Sequence, residues 1–380
     1  MNRDLYYVFL YNFSIYKKRN IKKILNEEEI NKLRIQNNTH LRFGDSFNRL
    51  LKEGSIPNNV THLTFGDSFN QPLKERCIPK MVTHLIFGNS FNQPLEEGCI
   101  PNNVTHLKFG CSFNQILKEG SIPTSVTYLV FGKFFNQSLK KGDIPNNVTH
   151  LMFGEFFNQE LKEGDIPDSV THLIFGEYFN QDLKEKDIPN SVIHLTFGNR
   201  FNKNLKKGAI PNMVTHLTFG KFFNQVLKKD DIPNSVIHLT FGDNFNKSLK
   251  KGMIPNSVTH LKFGNNFNKP LKEGHIPNSI THLTFGLYFN QHLDDSIQNL
   301  NNLIELLLFN DYTKSNFSKL TSNKCILIGY YDFEYILYNQ YNIKLKYNDK
   351  IIFDNHIDNI DINNFNGKLF MKELVKKVSH

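Results

Sequence analysis

Between residues 55 and 274 a 22-residue unit recurs with no insertion or deletion. One copy, 56–73, reads I-P-N-N-V-T-H-L-T-F-G-D-S-F-N-Q-P-L, and its Ile-Pro pair returns at 78, 100, 122, 144, 166, 188, 210, 232, 254 and 276. A fixed period in the twenties constrains a chain severely. Each unit is too small to bury its apolar residues alone, so the units must stack into a solenoid whose contacts run between neighbours. That outweighs the two or three globular domains a 380-residue length would suggest, and one elongated body is expected.

Inside the unit, His62-Leu63-Thr64-Phe65 alternates with period two, the pattern of a short strand with Leu63 and Phe65 on one face and His62 and Thr64 on the other. Gly66 ends it. Leu63, Phe65, Phe69 and Leu73 keep apolar equivalents throughout and are expected to line the interior, and the 35 Phe supply that core without a single Trp. The Thr64 phase varies from Arg42 and Ile86 to Lys108, Val130, Met152, Ile174 and Lys262, which points to an exposed position. Asn70 has an Asn counterpart in all twelve L-x-F-G copies and is expected to form a buried ladder of carboxamides. The return leg, with Ile-Pro in each copy, reads as extended rather than helical.

The ends depart from the period. Residues 1–38 form a non-repeat segment with a helical pattern over 21–33, read as an N-terminal cap or a degenerate docking segment. The repeats occupy 39–296. Beyond them, 297–380 reads as a C-terminal cap of mixed α and β structure: one degenerate rung at Leu300, Leu303, Leu306 and Leu308, strands over 325–331 and 343–353, the second turning at Asn348-Asp349, and a helix over 368–378.

The alternation of Phe-Asn with Ile-Pro, as in Phe69-Asn70 and Ile78-Pro79, resembles the FNIP repeat family over about residues 39–296. The resemblance implies a leucine-rich-repeat-like, β-rich solenoid with one parallel strand per repeat, and a binding scaffold rather than a catalyst. Such repeats occur in proteins of social amoebae and of large DNA viruses that infect amoebae, sometimes behind an F-box that would tie them to ubiquitin ligases. Residues 1–38 are short for that module and lack its usual Leu-Pro start. The unit also takes a longer step from strand to Asn than the leucine-rich form.

Four columns of side chains are candidates for function. Histidines recur on the outer strand face, among them His150, His172, His194 and His216, with Tyr128 standing in once. At strand spacing these rings form a ladder, and no carboxylate or thiol recurs beside them to complete a metal site. Aromatic residues precede the inward Phe at Phe134, Phe156, Tyr178, Phe222 and Tyr288, and the first three, in consecutive units, would make an apolar strip. Charge falls in blocks: ten acids face three lysines over 143–189, and ten basic residues, including Lys206, Lys207, Lys228 and Lys229, face three acids over 190–252. Such polarity would steer a complementary partner or a second copy. Cys77 and Cys99 share a phase in adjacent units and read as an incidental surface pair within disulfide reach.

The formal charge of +9 is mild for this length and does not by itself announce a nucleic-acid binder. No secretory leader pattern or membrane-length apolar run is present, so an intracellular, cytoplasmic protein with no membrane partner is expected. Phosphate-binding loops, H-E-x-x-H and nucleophile elbows are absent from the sequence, and the polar residues recur as columns rather than converging as one-off groups. The expected function is therefore a non-enzymatic protein-interaction scaffold without cofactor, its partner unidentified and self-association open. The alternatives are a ubiquitin-ligase substrate adaptor, or binding of nucleic acid or an anionic surface by the basic block 200–251.

Overall fold

A computed structural model of the protein describes residues 39–293, 300, 302–309, 325–330, 333–338, 342–347 and 350–356, with side chains up to 308. The proposed cap or docking segment at 1–38 and the helix over 368–378 lie outside the described residues. The chain divides into two compact units, Met1–Val214 and Thr215–His380. No helix occurs among the described residues, and none is long and apolar enough to cross a membrane.

The first unit carries eight three-residue strands: β1 (His40–Arg42), β2 (His62–Thr64), β3 (His84–Ile86), β4 (His106–Lys108), β5 (Tyr128–Val130), β6 (His150–Met152), β7 (His172–Ile174) and β8 (His194–Thr196). Each pairs in parallel with the next one repeat on, His62 opposite His84 and Leu63 opposite Leu85. Short as they are, the strands are held on both flanks, since Thr83 N–H donates to the Thr61 carbonyl and Phe65 N–H to the Ile86 carbonyl, each at 2.8 Å.

The second unit continues the same design with β9 (His216–Thr218), β10 (His238–Thr240), β11 (His260–Lys262), β12 (His282–Thr284) and β13 (Glu305–Phe309), all parallel. In β13 the expected degenerate rung is realised, with Leu300, Leu303, Leu306 and Leu308 buried and Glu305 in the histidine register. β14 (Cys325–Tyr330) pairs in parallel with β13 and then leads an antiparallel meander of β15 (Phe333–Tyr338), β16 (Asn342–Tyr347) and β17 (Lys350–His356). Tyr347 faces Lys350, which agrees with a turn at 348–349. The strand at Phe333–Tyr338 is an addition to the strands expected from the sequence. Its Tyr- and Phe-rich run lacks the alternation that marks a half-buried strand.

Three tight turns close each rung. In the second repeat Phe69 N–H donates to the Gly66 carbonyl at 3.1 Å, Cys77 N–H to Lys74 at 3.2 Å, and Val82 N–H to Pro79 at 3.1 Å. Leu63, Phe65, Phe69, Leu73, Ile78 and Val82 point into the coil and are buried. Gly66 and its equivalents stand where rungs touch: a Cβ on Gly88 would lie 1.8 Å from the Gly66 carbonyl oxygen.

The Asn column differs from expectation in its depth and in its bonding. It is half-buried at best, and the bond along it runs from backbone to side chain. Asn92 N–H donates to Asn70 Oδ1 at 2.9 Å, and Gln93 Nε2 donates to the same oxygen at 3.0 Å. One oxygen thereby satisfies two donors of the next rung, which two stacked carboxamides could not do for the backbone.

Rungs related by pure translation would show one separation in every column, and these do not. Within the first unit the rings of the His62 column stand 4.0–4.4 Å apart. Those of the Phe65 column stand 5.5–5.9 Å apart, and those of the Phe69 column 6.0–6.2 Å. The second unit repeats the gradient, 4.2–4.3 Å at histidine and 6.0–6.1 Å at the outer Phe. Successive rungs therefore rotate as well as translate, and they converge toward the strand face.

That convergence overturns the expected exposure of the Thr64 phase. Val130, Ile174, Thr196 and Thr218 are buried there, and Val130 and Ile174 pack with Ile86, Tyr128 and Met152. Lys108 and Lys262 keep more exposure because a long stem reaches solvent from the same position.

Candidate interaction surface

The histidine column occupies the converging face. Apart from the exposed His40, its rings are half-buried rather than fully outward, as is Tyr128, which stacks between His106 and His150 at 4.4 and 4.0 Å. His150 stacks on His172 and His172 on His194 in the first unit; His216 stacks on His238 in the second. Most rings are oriented by the threonine before them, as where Thr149 Oγ1 lies 2.9 Å from His150 Nδ1 and donates to the Thr127 carbonyl at 3.2 Å, whereas His194 and His238 follow Ile193 and Ile237. Burial, reinforced by the charges of neighbouring histidines, lowers the pKa of His150 to about 4, and His62, His84, His106 and His260 are lowered to about 4 in the same way. Among the described residues no group of three or more His, Cys, Asp or Glu is placed to hold a metal ion.

The strand-exit turn carries the aromatic strip. Phe134 stacks on Phe156 at 5.3 Å and Phe156 on Tyr178 at 4.6 Å, so the three consecutive aromatics do meet. Cations frame the strip: Lys133 Nζ lies 5.7 and 5.5 Å from the Phe134 and Phe156 ring centres, and the Arg200 guanidinium lies 4.6 Å from that of Tyr178. Arg200 occupies the same phase one repeat on, a continuation that a search for aromatics alone passes over. Phe134 is 46% exposed, while Phe156 and Tyr178 are half-buried by one another. Phe222 and Tyr288, on the corresponding turns of the second unit, are exposed.

Lysines lie at a different corner, the return turn after the inward Leu. Lys207, Lys228 and Lys229 are exposed there, whereas Lys206 stands 3.8 Å from Asp182. The acidic block is less of a surface than its composition suggests. Asp143, Asp165 and Asp187 are buried, each accepting the backbone N–H three residues earlier at 2.7–2.8 Å and clamping the return turn. Glu155, Glu163 and Asp182 are paired with Lys133, Lys186 and Lys203 respectively.

Cys77 and Cys99 occupy the clamp phase too, and the reading of an incidental surface pair is overturned. Both are buried free thiols; Cys77 Sγ donates to the Lys74 carbonyl at 2.8 Å, and burial raises the pKa of Cys99 to about 11.

Among solved structures the chain is similar to that entitled "The crystal structure of CroV588 a novel circular LRR protein structure", with 40% sequence identity and a TM-score of 0.67. The match covers 77% of this chain and 46% of that one, so this chain spans about half the length of that protein. No curated protein matches. The FNIP Repeat family matches ten segments, 36–68, 47–90, 69–112, 91–134, 113–156, 135–178, 157–185, 179–222, 223–266 and 267–304. These cover well over half of the chain and follow its 22-residue rungs, and the chain belongs to the FNIP repeat family, with a leucine-rich-repeat-like β-solenoid fold.

Proposed function

We propose that this protein is a non-catalytic recognition scaffold that holds a protein partner against the strand-exit turns of its first unit, with the adjoining histidine face as the flank of the contact. The observation that carries this reading is the Phe134–Phe156–Tyr178 stack with its flanking Lys133 and Arg200. The same phase is Ser68, Ser90 and Ser112 in earlier rungs, where the turn closes in the same way, so the rung does not need these rings to fold. Aromatic side chains bring large contact area at low entropic cost, and Arg and aromatics are the residues that dominate binding hot spots. The stack is ordered on folding, which removes much of the cost of docking.

The experiment compares wild type with F134S/F156S/Y178S in affinity capture from cells of the native source, read by quantitative mass spectrometry. Truncated hot-spot residues cost about 2 kcal/mol each, so specific partners should fall at least tenfold in the triple variant while its thermal unfolding stays near wild type. Equal recovery of the same proteins by both would overturn the reading.

A further inference from the structure

The return turns of the second unit carry a row of exposed cations. Lys228 and Lys229 stand on one rung, Lys250 and Lys251 on the next and Lys272 on the third, all exposed. Lys247 and Lys269 precede them on the same side of the coil, at a phase that is Gln in most rungs. The exposed acids on these three turns are Asp230 and Glu273, since Asp231 is buried as a turn clamp. None of the seven lysines forms an ion pair with a described residue.

In some rungs of the first unit this corner is neutralised within the chain. Lys118 reaches Glu96 of the preceding rung at 3.1 Å, and Lys186 reaches Glu163 at 3.2 Å. The Glu phase of that corner, occupied by Glu53, Glu75, Glu97, Glu119, Glu163, Glu185 and Glu273, holds lysine at 141 and 207 in the first unit and at 229 and 251 in the second. Stacking like charges in register destabilises a solenoid, because each rung repels the next. A row of like charges without an ion-pair partner among the described residues is one whose repulsion an anionic ligand relieves.

We infer that this lysine row is a binding site for the phosphate backbone of single-stranded nucleic acid, engaged without regard to base sequence. The rungs rotate about the strand face, so their spacing is widest on the far side. The outer Phe rings that lead into these turns are 6.1 and 6.0 Å apart, a step similar to that between successive phosphates of an extended strand. A short row of this kind suits a flexible single strand, whereas the phosphates of a duplex wind away from it. No Phe or Tyr lies on the row, whose one ring among the described residues is His275, half-buried and accepting the Lys272 N–H at 3.2 Å; the exposed Phe222 and Tyr288 are on the strand-exit turns. Base stacking therefore contributes little, and the single exposed Val226 beside the row is less than the apolar anchor an acidic protein segment would need. A second copy of the chain is a poor occupant, because its acidic block is largely consumed by turn clamps and by Lys133, Lys186, Lys203 and Lys206.

The test uses the full chain and a fluorescein-labelled 20-nucleotide oligo-dT in an anisotropy titration across 50–300 mM NaCl. Binding should be measurable at 50 mM and fall steeply with salt, with a log–log slope of about −3.5 if the five turn lysines are engaged at roughly −0.7 each. K228E/K229E/K250E/K251E should lower affinity at least tenfold with unchanged thermal unfolding; glutamate already occupies the equivalents of Lys229 and Lys251 in other rungs. K52E/K74E in the first unit should have little effect. The inference is overturned by no binding at 50 mM, by equal losses in the two variants, or by poly-glutamate competing as well as oligo-dT at equal charge. The F134S/F156S/Y178S variant should bind oligo-dT normally, which separates this site from the proposed protein-docking strip.

Discussion

Thr61 Oγ1 stands 2.9 Å from Nδ1 of His62, and the same hydroxyl donates its one proton to the Thr39 carbonyl at 3.1 Å. The hydroxyl oxygen must therefore accept, and His62 carries its proton on Nδ1. Thr83–His84, Thr105–His106, Thr149–His150, Thr171–His172 and Thr281–His282 repeat the arrangement, so the tautomer is fixed in at least six rungs. The stack is built for neutral rings.

Acidification should therefore loosen the solenoid. Burial and neighbouring histidines lower the folded pKa of His62, His84, His106, His150 and His260 from 6.5 to about 4. Their contribution is fully present above pH 6.5 and is lost as pH falls toward 4, because the unfolded chain takes up protons first. The melting temperature should drop by about 5 °C or more between pH 7.5 and 5. Buried Asp143, Asp165 and Asp231 have raised pKa values, chiefly through desolvation, and act in the opposite sense by gaining as pH falls. H150Y/H172Y, which copies Tyr128, isolates the histidine part and should shrink the drop; an unchanged pH profile would count against the ladder.

Two kinds of glycine should respond oppositely to substitution. Gly88→Ala places a Cβ 1.8 Å from a backbone oxygen that neighbouring rungs hold in place, and should cost about 3 kcal/mol or more in chemical denaturation. At the return turn the third position is Gly98 with φ 77°, but Arg76, Lys186 and Asp230 adopt φ of 64–71° without being glycine. Arg76→Gly and Lys186→Gly should each stabilise by about 1 kcal/mol, little offset by loss of the exposed Lys186–Glu163 pair.

Turn clamps should also be measurable one at a time. Asp165 accepts the Lys162 N–H at 2.8 Å from a buried position, and Asp165→Ala leaves that donor unsatisfied at a cost of about 1–2 kcal/mol. Asp165→Ser should recover most of the loss, since Ser121 clamps Lys118 in the same way at 3.3 Å. Equal stability of the Ala and Ser variants would remove the clamp from the account.

Thiol labelling provides a further check. Cys77 and Cys99 are buried with raised pKa values, whereas Cys111 is half-exposed. Iodoacetamide at pH 8 should modify Cys111 in the native protein and reach Cys77 and Cys99 only with denaturant, as read by peptide mapping.

The primary structure alone determined the rung: its length, its inward Leu63, Phe65, Phe69 and Leu73, the strand at His62–Thr64, the non-helical return and the stacking of Phe134, Phe156 and Tyr178. All of these follow from one residue's phase within a strict period. What required the tertiary structure was the rotation between rungs, which sets the stack 4.1 Å apart at His62 and 6.0 Å apart at Phe69. That rotation is shared among every packed layer and belongs to no single position. It is what buries Val130 and Ile174 on a face that alternation assigns to solvent, and what spaces the lysines of the far side. The same holds for Asp143, Asp165 and Asp187: composition counts them as surface charge, and only the closed turn reveals that their carboxylates point back at the chain.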